Sequence, residues 1–451
     1  MSNTHHNHRT GSTVISNTGS ERATGGSGNK IVTCDGKSHI VWQDISRDGY
    51  LNRVRSLDHV AGELTDTVIL NTGVDNHARP VITIDHDGFL HTLMSGHGSP
   101  ISYRKSEKPN DASSWSEAET AGAGTYPIII CAENGTLFFT VRAEAADGVD
   151  LYAKPRDATW RRQAKLVSRS AEYRSGYAAF HNHICTGPDG TLHFVCTFYE
   201  GFGRTEKRGL HQAVCYMRSP DRGNTWQKSD GTPVKIPASP EKMDIIARSV
   251  EERHEPMPPP EVTCGGIAVT SDNRVRIMCL SHRKRPGEIV LYEIEPEGRW
   301  RQLSIDALDE TYPEMRSRAC SFAMREDDSI CALATLTPLS HGWDRGKPLR
   351  GAAEDDKPDR CAAWLLSGSF DGTFHVVPEI EAGTPFNSPA FERPTGVNVI
   401  PAGCLPSYAY FDGTSRYPGG LEAYFADIEG YVKHGDLITN TVYWVFSQTI
   451  A

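Results

Sequence analysis

The sequence predicts an all-β chain, a seven-bladed β-propeller with four antiparallel strands per blade. Three observations carry that expectation: a hairpin that recurs along the chain, a second pair of strands after most of these hairpins, and weak helix signals throughout. The hairpins read NKIVTCDGKSHIVWQD, RPVITIDHDGFLHTLMSG, YPIIICAENGTLFFTVR, HICTGPDGTLHFVCTFYEG, CGGIAVTSDNRVRIMCLSH and ACSFAMREDDSICALATL. In each, an apolar run meets a turn near Asp35, Asp87, Asn134, Asp189, Asp272 or Asp327, and a second apolar run leaves it. The turns lie about 50 residues apart, the period of a propeller blade, with one longer step between Asp189 and Asp272.

The second pairs are DLYAKP with TWRRQAKLV, AVCYMRS with TWQKSDGT, EIVLYEIEP with RWRQLSI, and CAAWLLSGSF with TFHVVPEI. Four strands per repeat complete the blade pattern. SPDRGNTW at residues 219–226 fits S-x-D-x-G-x-T-W, the Asp-box. It is a tight turn in which Ser219 and Asp221 bond the turn's own backbone and Trp226 packs inward. Six blades are plain, and a seventh is drawn from residues 385–451 with VYWVFSQTI as a late strand. The insertion RSVEERHEPMPPPE is charged and Pro-rich and reads as a loop.

Large all-β folds use a length such as 451 residues as one unit. Residues 1–28 are polar and rich in Gly, Ser and Thr, and are expected to be a disordered tail; residues 29–451 are expected to form a single catalytic propeller domain. A net charge of -10 argues against a nucleic-acid partner. No apolar run approaches the ~18 residues of a membrane span. The 11 cysteines include no CxxC pair, which favours free thiols in a reducing compartment. No apolar signal core opens the chain, so a cytoplasmic location is expected, or secretion if a leader has been trimmed.

Pairing across the hairpins selects the candidate site. His77 and His97 stand equally far on either side of Asp87, so antiparallel pairing brings them to one end of one hairpin. Tyr126 and Arg142 stand equally far from Asn134 in the next blade. Blade four adds His181 and His183 before its first strand, and Tyr199 and Glu200 after its second. Arg presents a planar, permanently charged fork suited to a carboxylate. His and Tyr are acids and bases near neutral pH. That set suits β-elimination from a uronic acid: Arg142 neutralises the carboxylate, a His or Tyr removes the C5 proton, and another protonates the oxygen leaving C4. No Ser-His-Asp order, nucleophile elbow or phosphate loop is evident. A glycosidase would want two carboxylates on this face, and only Glu200 and Asp75 are obvious.

Each residue also has a plainer reading. Arg142 suits a salt bridge at a strand end, His77 and His97 suit satisfied polar caps, and Tyr126 suits the channel lining. Asn76 is a turn residue, an orienter of His77 or a sugar contact. Arg204 is a loop charge or a substrate contact, and His181, His183, Tyr199 and His211 are placed as shapers of sugar subsites. His86 and His91 fall away from the site end.

The stretches DNHARPVITIDHDGFLHTLMSGH, YRKS, TYPIIICAENGTLFFTVR and SPDRGNTWQKSDGTPVKIP resemble the BNR-type seven-bladed propeller polysaccharide lyases, the ulvan lyases and L-rhamnose-α-1,4-D-glucuronate lyases. The resemblance covers roughly residues 30–240. It implies elimination next to glucuronate or iduronate, with His77, His97, Tyr126 and Arg142 as the catalytic set and no cofactor needed for the chemistry. It implies an acidic oligo- or polysaccharide substrate, with rhamnose-linked glucuronate favoured over ulvan. A rhamnosidase-like propeller glycosidase and a non-catalytic carbohydrate-binding propeller are the alternatives. Such lyases sometimes hold a structural metal, zinc or calcium, and Cys264, His282 and Cys320 are placed as its ligands. Their spacing matches no standard zinc pattern, and buried free thiols are the favoured reading.

Overall fold

All six hairpin turns carry a left-handed residue just past the expected turn position. Gly36, Gly88, Gly135 and Gly190 have φ of 73, 82, 77 and 78°, and Asn273 and Asp328 have 63 and 61°. Gly, Asn and Asp tolerate this conformation, and the chain uses only these three here. In the computed structural model, residues 10–447 are described apart from 27, 48, 74–75, 78, 170–177, 202–208, 249–261, 282–286, 296–297, 339–360, 382 and 414–438. The chain is all-β. Among the described residues the helices are the short Ala307–Thr311 and a 3-10 turn at Pro240–Lys242.

The strands form antiparallel sheets of nine, eight, six, four and four strands. The predicted hairpins are all present, from Ile31–Cys34 with Lys37–Ser46 to Met315–Met324 with Ile330–Pro338. The predicted second pairs also form, for instance Gly148–Lys154 with Arg161–Ser168 and Glu288–Ile294 with Trp300–Ile305. The Asp-box folds as expected. Asp221 accepts from the Thr225 N–H at 2.8 Å and the Thr225 hydroxyl at 2.7 Å, Ser219 accepts from the Gly223 N–H at 2.6 Å, and Trp226 is buried.

Apolar clusters lie between successive strand groups. Ile128, Ile130 and Phe138 pack with Ile184, Phe194 and Phe198, and Val195 and Val214 pack with Ile267 and Ile277. One cluster joins the two ends of the chain, setting Ile15, Ile31 and Trp42 against Phe411, Val442 and Trp444. Pairing joins the same ends, because the strand Thr10–Gly19 runs antiparallel to Asn440–Ser447. This corrects the expected disordered tail over residues 10–26. The strand is polar because one of its faces meets solvent: Ser12 and Val14 are exposed while Ile15 is buried. Composition alone takes such a strand for a solvated tail.

A segment near the C-terminus crosses the turn ends of several hairpins. The Thr395 carbonyl accepts from the Cys131 N–H at 2.7 Å and the Thr83 hydroxyl at 2.9 Å, and the Ile400 carbonyl accepts from the Glu326 N–H at 2.9 Å. A Cβ on Gly396 would lie 1.9 Å from the Ile84 carbonyl oxygen, so only glycine fits there. The opposite ends of the hairpins carry the site.

Candidate active site

His77 precedes the strand Val81–Ile84 and His97 follows the strand Leu90–Ser95, whose register pairs Val81 with Leu93. The hairpin therefore returns His97 to His77. Their rings stack, with centroids 4.5 Å apart and planes 12° apart. His77 is buried and His97 is exposed, so one ring backs the other. The Tyr126 ring stands 5.8 Å from His77.

Tyr126 reaches this position through a strand shared by two groups. Glu119–Cys131 pairs with Ser99–Lys108 as far as Gly124, then with Leu137–Arg142 from Thr125 onward. Gly124 turns at φ +148°, where a Cβ would meet the Arg142 carbonyl at 2.5 Å. Tyr126 itself has φ +63°, in the left-handed region that non-glycine residues rarely adopt. The Thr125 hydroxyl accepts from the Gly98 N–H at 2.8 Å and so ties the His97 loop to the next hairpin. Thr125 faces Arg142 in register, and the Arg142 guanidinium carbon lies 4.9 Å from the Tyr126 ring centre. The four residues named from spacing thus meet in one place.

A second guanidinium joins them. Arg79 lies 5.0 Å from the same Tyr126 ring and is half-buried, whereas Arg142 is buried. The Arg79 backbone N–H donates to the His77 carbonyl at 2.8 Å, which ties it to the same loop. Its signal was present in the sequence, two residues after His77, but a loop arginine carries no periodicity to mark it.

The other named residues divide. Asn76 is fully buried and donates its amide to Glu21. His181 and His183 lie inside the strand Ala178–Thr186, not before it as expected, because pairing extends back to Ala178 opposite Glu200. His181 and His211 are neighbours, with ring centroids 5.3 Å apart. Desolvation by the surrounding walls, then the charges of His211, Arg79 and Arg142, push the His181 pKa down. Solvent reaches the exposed ring and weakens the first effect; repulsion from the two arginines keeps the direction.

His183 is buried, and its Nδ1 accepts from Arg393 at 2.5 Å. Burial and then the Arg393 charge hold it well below its ordinary range, although a hydrogen bond to the Cys264 backbone opposes this. Lys30 is also buried, with its ammonium on the Pro80 carbonyl; burial, then Arg79 and Arg393, lower its pKa. Spacing missed Lys30 and Arg393, which come from the chain's ends. Tyr199 and Glu200 fall in the strand Leu192–Gly201, but their side chains, Asp75, Arg204 and His282 lie outside the described residues.

Of the proposed metal ligands, Cys264 and Cys320 come near one another around Gly265, where a Cβ would meet the Cys320 Sγ at 2.5 Å. Burial pushes both thiols up to about 12, and the Cys264 thiol donates to the Gly266 carbonyl at 3.5 Å. Among the described residues no three His, Cys, Asp or Glu side chains gather as metal ligands.

Comparison with known proteins agrees with this architecture. An ulvan lyase from Nonlabens ulvanivorans is 31% identical over 100 residues, 19% of this chain and 21% of that protein. An ulvan lyase from Alteromonas sp. (strain LOR) is 23% identical over 205 residues, 38% of this chain and 40% of that protein. The chain therefore matches less than half the length of these two curated relatives. A PL25 ulvan lyase solved with -[GlcA(1-4)Rha3S]- superposes with a TM-score of 0.62 at 13% identity, covering 88% of this chain and 93% of its own. The polysaccharide lyase Uly1 superposes with a TM-score of 0.56 at 11% identity, covering 93% of this chain and 90% of its own. These two structures share the fold. The family of BNR repeat-containing proteins matches residues 36–307, more than half of the sequence, and the chain belongs to that family.

Proposed function

We propose that the chain is a seven-bladed propeller polysaccharide lyase that cleaves a uronate linkage by β-elimination. The observation that carries this reading is the stacked His77–His97 pair facing Tyr126, with the guanidinium groups of Arg79 and Arg142 beside the same tyrosine ring. The blade count is supported by the seven apolar clusters found among the described residues, one of which joins the chain's ends. The two ulvan lyases among its relatives point to the same reaction.

The C5 hydrogen of a uronate is a weak acid because its carboxylate already carries negative charge. A guanidinium on that carboxylate stabilises the second charge that develops when the proton leaves. Arg142 is assigned this role together with Arg79, the more accessible of the two. His77, His97 and Tyr126 share the base and acid roles, and which takes which depends on the face of the sugar that carries the C5 hydrogen. The base removes the C5 proton, its electrons form the C4–C5 double bond, and the C4–O bond breaks with a proton delivered to the leaving oxygen. Rhamnose-linked glucuronate is the favoured substrate, then ulvan.

The test is near-ultraviolet absorbance, because the product's conjugated double bond absorbs where the substrate does not. Wild-type protein is mixed with rhamnose-linked glucuronate oligosaccharides and, separately, with ulvan. Absorbance should rise in at least one mixture, and Arg142→Ala should slow it by about 10²–10³. Free rhamnose without absorbance would instead mean hydrolysis.

A further inference from the structure

We propose that the turn at residues 20–26 is a positioning element of the active site, in which Glu21 holds Asn76 beside His77 and the Gly25–Gly26 pair seats Arg79. Its kinetic consequences rest on the lyase reading. The turn follows the strand Thr10–Gly19, and both ends of the fold hold it. Ser20 N–H donates to the Gln43 carbonyl at 3.0 Å, and Gln43 N–H to the Ala23 carbonyl at 3.0 Å. The Thr24 hydroxyl donates to the Ser388 carbonyl at 2.8 Å, across almost the full length of the chain. Ala23 and Thr24 are fully buried, so the turn is packed structure.

Two contacts run from this turn to the catalytic group. The Glu21 carboxylate accepts the Asn76 amide. Asn76 is fully buried and immediately precedes His77, so its side-chain direction fixes the backbone that carries the imidazole. At Gly25 a Cβ would lie 2.6 Å from the Arg79 Nη1, and at Gly26, where φ is +109°, it would lie 3.4 Å from the same guanidinium. Bare backbone thus gives Arg79 its seat, and a branched side chain there would push it from its place beside Tyr126. Glu21 and the glycines act through Asn76 and Arg79, and so are positioning residues.

The experiment compares Glu21→Ala, Glu21→Gln, Gly25→Val, Arg79→Ala and the double variant Gly25→Val/Arg79→Ala, each checked for folding by its melting temperature. Glu21→Ala should lower kcat about 10-fold with little change in KM. Glu21→Gln, whose amide oxygen still accepts from Asn76, should restore most of it. Gly25→Val should lower kcat/KM as far as Arg79→Ala does, and the double variant should be no worse than Arg79→Ala. Losses that multiply in the double variant, or equal rates for Glu21→Ala and wild type, would overturn the proposal. If wild type forms no unsaturated product, the lyase reading fails instead, and the turn is then read by histidine-ring NMR. The signals identified as His77 by their loss in His77→Asn should move in Glu21→Ala and stay in Glu21→Gln; signals that stay in both overturn the proposal.

Discussion

At Tyr126 the backbone stands at φ +63°, a conformation that costs a non-glycine residue about 1–2 kcal/mol. It persists because Gly124 and the Thr125–Arg142 pairing hold the strand on both sides, and it turns the phenol toward His77. Strain of this kind collects where a side chain must be aimed. Spacing alone named His77, His97, Tyr126 and Arg142, because each sits at a fixed distance from a turn that the sequence marks. Arg79, Lys30 and Arg393 were not legible, since their convergence depends on loops and on how the chain's two ends meet. Away from the site, His39 and His193 are buried, and desolvation lowers each to about 4. An unfolded histidine titrates near about 6.5. Between these values the unfolded chain binds more protons, so this stability is complete above about 6.5 and is lost as pH falls toward about 4. Each histidine contributes a slope of about 1.4 kcal/mol per pH unit in that window. Urea midpoints measured from pH 7 to 4.5 should fall with pH, and less steeply in His39→Gln; an unchanged slope would remove His39 from the account.

Among the elements, the hairpins were the most legible, because an Asp/Asn-Gly turn between apolar runs states both the pairing and its register. The strand Glu119–Cys131 was less so. Its two halves belong to different pairings, and the change of partner at Gly124 and Thr125 depends on backbone geometry that composition does not express. The same holds for Ala178–Thr186, whose true start shifted His181 and His183 into the strand. The Asp-box was read correctly from eight letters because its bonds are local to the turn. Asp221→Ala removes the acceptor for Thr225 and Ser219, and should cost about 1–2 kcal/mol without changing turnover. Denaturant melts and kinetics on the same sample check both halves; lost turnover at unchanged stability would give the Asp-box a role beyond folding.

For the whole molecule, the pairing of the chain's two ends is the feature that the sequence concealed. The strand Thr10–Gly19 pairs with Asn440–Ser447 and leads into the turn that touches Asn76 and Arg79. Polar letters on a half-exposed strand look like a tail until the far end of the chain supplies its partner. Deleting residues 1–19 should therefore lower the thermal midpoint by several degrees and reduce turnover together; a truncated protein that melts and turns over like the parent would return these residues to the status of a tail. The central claim is that guanidinium groups neutralise a uronate carboxylate so that its neighbouring proton can leave. The most direct measurement compares wild type with Arg142→Ala on a uronate oligosaccharide and on its methyl ester, by the rise of near-ultraviolet absorbance. The ester carries no charge to neutralise, so the loss of about 10²–10³ expected on the acid should shrink to a few-fold on the ester. An equal loss on both, or no unsaturated product from wild type on either, would contradict the account.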